Sequence, residues 1–306
     1  MTGPRVRSAS RRHRRNESAI DLLFLVPTLV ILAGFLAYPL LYGLVLSLHD
    51  TQGFDVTNFV GIDHYMRALL GDEVFHRSVG NTILFTAVAV VLQTGLGLGL
   101  AVLVADARRG QTFFRVAFFL PVILAPVAVG VVWKFLYAPF FGIAATAGSA
   151  LGLDTQTFAP LSDPDTALWA IMVAFLWRFT GFTMVVYLAA IRAHPREYHE
   201  YALLEGAGTV QRLRRITWPL LWPQTFALVL LTTLGTLRIF DMVWTMTGGG
   251  PSHATETVAT DVYVTAFRFL DVGYAQAMAT ILLFLILLLT AVEYRFLDRR
   301  AEAVRL

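Results

Sequence analysis

The chain has 306 residues, 57% of them hydrophobic and only 15% charged, with a mean hydropathy of +0.64, a net charge of +3 and no cysteine. A water-soluble domain carries about a quarter charged residues, so a soluble globule is excluded. The lack of cysteine likewise excludes disulfides and cysteine-held metals or clusters.

Apolar runs of roughly 20 to 27 residues suit helices, not barrel strands of about ten. A spanning backbone must satisfy its own hydrogen bonds, which helices do internally. The sequence therefore predicts an all-α integral membrane protein with six transmembrane helices. Residues 1–20 read as a basic tail carrying Arg5, Arg7, Arg11, Arg12, Arg14 and Arg15. The first run, about Leu22 to Leu48, is about twice as long as a signal-peptide core and reads as an uncleaved helix. Further spans are predicted at about Thr82–Ala105, Phe113–Tyr137, Ala167–Ile191, Trp222–Met246 and Ala275–Leu297. Pro121 and Pro126 predict a kink in the third, because each removes a backbone donor. Gly95 and Gly99 form a G-x-x-x-G pair in the second, a pattern equally compatible with close packing and with ordinary membrane-helix composition. One membrane domain, 21–300, thus accounts for the chain between the basic tail and a short tail at 301–306.

The arginines set the orientation. With the N-terminus cytoplasmic, the inner side collects the tail, Arg108, Arg109, Arg192, Arg196, Arg212, Arg214, Arg215, Arg295, Arg299, Arg300 and Arg305. The outer side holds Arg67, Arg77 and Arg268. Both termini are then cytoplasmic, 138–166 and 247–274 are outside and 192–218 is inside. This asymmetry explains the basic balance without nucleic acid.

Nucleotide hydrolysis needs a lysine after a glycine-rich turn, and the only lysine, Lys134, sits between Trp133 and Phe135. The seven histidines show no metal-ligand spacing, and Ser47 and Ser149 have no evident base nearby in sequence. Neither a catalytic residue nor a metal site is predicted.

The segment between the fourth and fifth spans reads as two short helical pieces joined at Gly206. Ala202, Leu203, Ala207 and Val210 form its apolar stripe, and Glu200, Arg212, Arg214 and Arg215 its charges. Such a segment suits docking into a groove on a soluble partner, or lying on the membrane surface. It resembles the cytoplasmic loop of binding-protein-dependent ABC importer permeases, whose pattern is E-A-A, three residues, G, then about nine residues to I-x-L-P. Glu200, Ala202, Gly206, Ile216 and Pro219 fall on the pattern, while Tyr201 and Trp218 depart from it. Phe240–Pro251, with Asp241, Trp244, Thr247, Gly248, Gly249 and Gly250, is similar to the F-D-x-x-Y/W-x-L-T-G-G-G-P signature of the maltose-type carbohydrate uptake family. Taken alone, the glycines and proline also make an ordinary loop at a helix end. Asn81-Thr82 and Gly273-Tyr274-Ala275 look like the same subfamily.

The resemblance implies a type I ABC importer permease in a bacterial plasma (inner) membrane. Its partners would be a second homologous permease, two ATP-binding ABC subunits and an extracytoplasmic solute-binding protein or lipoprotein. ATP and Mg would sit on the partner ATPase, so this chain itself binds no cofactor. The segment 192–218 would couple to the ATPase through Glu200, Ala202, Gly206, Ala207, Ile216 and Pro219. The solute would be a sugar, a di- or oligosaccharide, with a non-sugar such as a glycerophosphodiester as the alternative; a polyamine is disfavoured by the positive excess within the spans. The implied pathway residues are Trp177, Arg178, Phe182, Thr232, Gly235, Thr236 and Ile239. For Arg178 two readings stand: it lines the pathway, or it binds carbonyls freed before Pro121 or Pro126. Arg238 and Asp241, three apart, are expected to neutralise each other.

Overall fold

The computed structural model describes residues 25–53, 55–106, 110–139, 142, 146, 159–194, 201–202 and 204–305. The tail 1–20, Glu200 and Leu203 lie outside them. Helix α1 is Leu25–Leu46, with a π-helical turn at Ala33–Ala37. A small antiparallel hairpin follows, β1 (His49–Gln52) with β2 (Asp55–Phe59), pairing Thr51 with Val56 and Gln52 with Asp55. A short helix, α2 (Asp63–Met66 with the π-helical turn Arg67–Gly71), leads into α3 (Glu73–Asp106). Then come α4 (Gln111–Ile123), α5 (Pro126–Leu136) and α6 (Ala167–Ala193). The short segment α7 runs through Thr209–Arg212, Leu213–Thr217 and Trp218–Leu220. The chain ends with α8 (Trp222–Thr236), α9 (Asp241–Met246), α10 (Val258–Phe267) and α11 (Val272–Arg305).

Among the described residues four helices are long and apolar enough to cross a membrane: Leu25–Leu46, Glu73–Ala105, Ala167–Ala193 and Val272–Arg295. Helices α4 and α5 make a fifth span when taken together, bent by 101°. Leu124 and Ala125 are extended at the bend, with ψ of 142° and 140°. Pro126 lacks a donor and forces the residue before it out of the helical region. Pro121 sits inside α4 without breaking it. The expected span Trp222–Met246 is divided: α8 has 15 residues, and α9 resumes only at Asp241. No glycine or proline marks that break. It is held from outside, by the Thr257 hydroxyl donating to the Ile239 carbonyl at 3.0 Å.

Two ends differ from the hydropathy reading. Helix α3 begins at Glu73, where the Asp72 carboxylate accepts from the Phe75 N–H at 2.9 Å. His76, Arg77 and Asn81 make this first part polar, so hydropathy registers only the apolar remainder. The segment 301–306, expected as a tail, continues α11 as far as Arg305.

Helices α3 and α6 form the central pair. Their contact is closest at Gly97, over Thr183 of α6, whereas Gly95 and Gly99 face open space. One buried cluster joins α3, α5, α6 and α9 through Phe85, Val129, Ile171, Phe175 and Val243. A second joins α3, α6 and α8 through Leu98, Tyr187 and Leu228, with Leu221 from the turn between α7 and α8. A third fixes α2, α10 and α11 around Phe75 and Tyr274. Helix α1 is almost wholly exposed.

Candidate functional site

A cavity of about 410 Å3 lies between α6, α8 and the break that follows α8, with Gln93 of α3 and the α4–α5 bend completing its wall. Phe175, Arg178, Phe179 and Phe182 come from one face of α6; Leu228, Leu231, Thr232 and Gly235 come from one face of α8. Both sets follow the three-and-four spacing that stacks side chains along a helix. Arg238, Ile239, Phe240 and Asp241 come from the break itself. The volume falls within the roughly 300–1,000 Å3 of small-molecule sites, and the lining is mostly aromatic and aliphatic with a few polar groups.

Of the residues singled out from the sequence, Arg178, Phe182, Thr232, Gly235, Ile239 and Asp241 line this cavity. Trp177 does not; its ring packs against Trp133, centroids 5.8 Å apart. Thr236 is fully buried, and its hydroxyl donates to the Thr232 carbonyl of its own helix at 2.7 Å. Gln93 was not anticipated, although an amide within an apolar run was a readable signal. It is 4% exposed, its Nε2 donates to Thr183 Oγ1 at 2.9 Å, and its Oε1 has no partner.

The guanidinium of Arg178 donates through Nε and Nη2 to the Leu124 carbonyl at 3.2 and 3.0 Å, and its Cζ lies 4.4 Å from the centre of the Phe179 ring. The Asp241 carboxylate adds a favourable charge. One side chain therefore lines the cavity and also binds a carbonyl freed at the proline break. Arg238 behaves otherwise. Its Nε donates to the Leu234 carbonyl at 3.0 Å. Among the described residues the ion pairs are His64–Asp50, Arg67–Asp271 and His253–Glu256, so the expected Arg238–Asp241 pair is absent. Phe240, with φ −131° and ψ −60°, interrupts the helix between them, and helical three-apart spacing no longer holds.

The glycine-rich stretch after α9 folds back onto the first turns of α3. Asn81 Nδ2 lies 2.9 Å from the Glu256 carbonyl and 3.1 Å from that of Ala254; Arg77 donates to the Ser252 carbonyl at 3.0 Å. Thr82 Oγ1 accepts from the Val258 N–H at 3.1 Å. Gly248 and Gly249 have φ of +63° and +92°, and a side chain on Gly249 would collide with the buried Glu256 carboxylate. Gly250 accepts from the Thr255 hydroxyl at 2.7 Å and precedes Pro251 through a cis peptide. Beside this loop, burial raises the Asp261 carboxyl to about 7, aided by the Glu256 and Asp72 carboxylates. Burial also acts on Asp72, but the Phe75 N–H and the Tyr274 hydroxyl outweigh it and hold Asp72 below its ordinary value. That hydroxyl donates to Asp72 at 2.7 Å, and Arg67 covers the Tyr274 ring at 3.9 Å.

On the opposite side of the sequence-derived topology, Gly206 has φ +77° and the Ala207 N–H donates to the Ala202 carbonyl at 2.9 Å, closing a helical turn. Ala202 is buried and Ile216 and Pro219 are half-buried. Tyr201 and Leu204 are 66% and 85% exposed, an apolar surface that the chain leaves uncovered. Among the described residues no group of three or more His, Asp or Glu side chains is placed to hold a metal ion.

Residues 93–303 match the family model described as "Binding-protein-dependent transport system inner membrane component". The chain is 34% identical over 286 residues to the protein named "Probable ABC transporter permease protein YurN" of Bacillus subtilis, covering 92% of this chain and 97% of that one. It is 30% identical to the sn-glycerol-3-phosphate transport system permease protein UgpA of Agrobacterium fabrum, over 92% and 96% of the two chains. It is also 30% identical to the lactose transport system permease protein LacF of Rhizobium radiobacter, over 89% and 92%. The fold matches a chain of a crystallised bacterial ABC transporter that imports the acidic polysaccharide alginate, with a TM-score of 0.82 at 22% identity, covering 94% of this chain and 99% of that one.

Proposed function

Because the chain belongs to the binding-protein-dependent transport system inner membrane components, we propose that it is one of two permeases forming the translocation pathway of an ATP-driven sugar importer. The solute in this reading is a di- or oligosaccharide. The observation that carries it is the cavity between α6 and α8: aromatic faces for sugar rings, with Gln93, Thr232 and Asp241 as partners for hydroxyls. The relative that transports lactose supports the same class. A glycerophosphodiester-like solute is the second reading, favoured by the guanidinium groups of Arg178 and Arg238 in the wall and by the relative that transports sn-glycerol-3-phosphate.

Energy enters from other chains. Two ATPase subunits hold ATP and Mg, and a solute-binding protein delivers the solute at the outer face. The segment 192–218, with Glu200, Ala202, Gly206, Ala207, Ile216 and Pro219, docks on an ATPase subunit; the exposed Tyr201 and Leu204 beside it support that reading. Closure of the ATPase dimer then moves the permease helices between outward-open and inward-open states. Both termini are cytoplasmic.

The test is solute-stimulated ATP hydrolysis by the copurified complex with its binding protein. Lactose, maltose or another oligosaccharide should stimulate turnover. Gly206→Asp or Glu200→Lys should leave the complex assembled and abolish stimulation. Normal stimulated turnover in both variants refutes the coupling assignment, and stimulation only by non-sugars refutes the sugar.

A further inference from the structure

The cavity contains three charged side chains, and their surroundings are unequal. Arg178 is solvated by the protein itself: the Leu124 carbonyl takes two of its donors and the Phe179 ring covers its Cζ. Arg238 has the Leu234 carbonyl on its Nε and no carboxylate within ion-pair distance among the described residues. It is exposed into the cavity at the break, where the backbone is not helical. A guanidinium in a span is expensive unless it faces water, protein or an opposite charge. With two guanidinium groups against the one Asp241 carboxylate, the wall keeps one unbalanced positive charge, and Arg238, with a single carbonyl partner, presents a planar fork whose terminal nitrogens suit a two-oxygen anion.

A second buried group is also unfilled. Gln93 keeps one amide atom without a partner whichever way the amide is turned, because its only bond is to the Thr183 hydroxyl. Only a hydroxyl, which both donates and accepts, satisfies that atom whether it is the amide oxygen or the amide nitrogen.

We infer that the solute is a polyhydroxylated anion, a sugar or polyol bearing a carboxylate or phosphate, with Arg238 holding the anionic group and Gln93 a hydroxyl. This rests on the reading of the cavity as the solute pathway. It assigns discrimination by charge to Arg238, and to Arg178 the task of holding the bend that shapes the site.

The chain is cysteine-free, so Leu231→Cys on the cavity rim is a single-site reporter. In the copurified permease complex, protection of this cysteine from a maleimide is followed by mass spectrometry of the corresponding peptide. The probes are galactotriose, trigalacturonate, glycerol and glycerol 3-phosphate. An acidic probe should protect at about tenfold to a hundredfold lower concentration than its neutral counterpart, as expected for one charge-assisted hydrogen bond. Arg238→Gln should remove that difference, and Arg238→Lys should retain part of it. Preference for trigalacturonate identifies an acidic sugar, and preference for glycerol 3-phosphate a phosphorylated polyol. Equal protection by neutral and acidic probes, unchanged in Arg238→Gln, overturns the inference and leaves the sugar reading intact. Protection by none of the four overturns both.

Discussion

Replacing Arg178 by alanine separates a bracing role from a solute-binding one. The guanidinium places two donors on the Leu124 carbonyl, at 3.2 and 3.0 Å, where the α4–α5 bend leaves that oxygen without a helical partner. Leaving such an acceptor unmet, after loss of a charged donor, costs about 1.5–3 kcal/mol. The cation–ring contact with Phe179 adds about 0.5–2 kcal/mol. Arg178→Ala should therefore destabilise the folded permease by about 2–5 kcal/mol, a large part of a typical stability margin. Arg178→Lys should recover the charge but only part of the stability, because an ammonium cannot present the same fork to one oxygen. The measurement is thermal unfolding of the detergent-purified complex, alongside its yield. If Arg178→Ala unfolds with wild type while solute-stimulated ATP hydrolysis disappears, the bracing argument is wrong and Arg178 is a solute contact.

Three further outcomes are expected. The Phe118 backbone carbonyl packs directly on Gly181, so Gly181→Ala should destabilise by about 1–3 kcal/mol, whereas Gly95→Ala, with open space around it, should leave unfolding unchanged; a reversed order would refute the α4–α6 packing. Burial raises the Asp261 carboxyl to about 7 in the folded protein against about 3.9 unfolded, so the stability it contributes should be fully present below about pH 4 and be lost as pH rises through 7. Asp261→Asn should flatten unfolding temperature across that interval, and an unaltered slope would contradict the assignment. Cysteines placed singly at 247–274 should react with an impermeant thiol reagent in intact cells, and those at 192–218 should not; the opposite pattern reverses the topology.

Hydropathy located five of the six expected spans, the bent α4–α5 pair taken as one, because lipid-facing surface is a property of composition, visible in any window. It located breaks only where their cause was local. Pro126 announces the bend after Leu124, but the interruption after Thr236 is held by Thr257, eighteen positions from Ile239 in sequence and adjacent only once α10 has docked. The same distinction governs the cavity. Residue type pointed to Arg178, Phe182 and Thr232, but only the packed helix phase tells Trp177, turned to Trp133, from Phe179, turned inward. Gly235 and Thr236 are neighbours in sequence, yet one lines the space and the other is buried in the helix packing. The close approach of α3 to α6 was likewise misplaced by pattern: the small residue that matters is Gly97, between the two glycines of the G-x-x-x-G pair.

Helix α3 has a mechanical consequence of its own. Its 34 residues form an unbroken rod about 50 Å long, well beyond the roughly 30 Å of hydrocarbon it crosses. Near one end it grips the 247–257 loop through Arg77, Asn81 and Thr82; about 18 Å along, at Gln93, it is part of the cavity wall. A rod has few ways to move, so whatever tilts or shifts it at this loop displaces the cavity wall in the same stroke. A push on the loop is felt at the cavity with no relay of intermediate side chains.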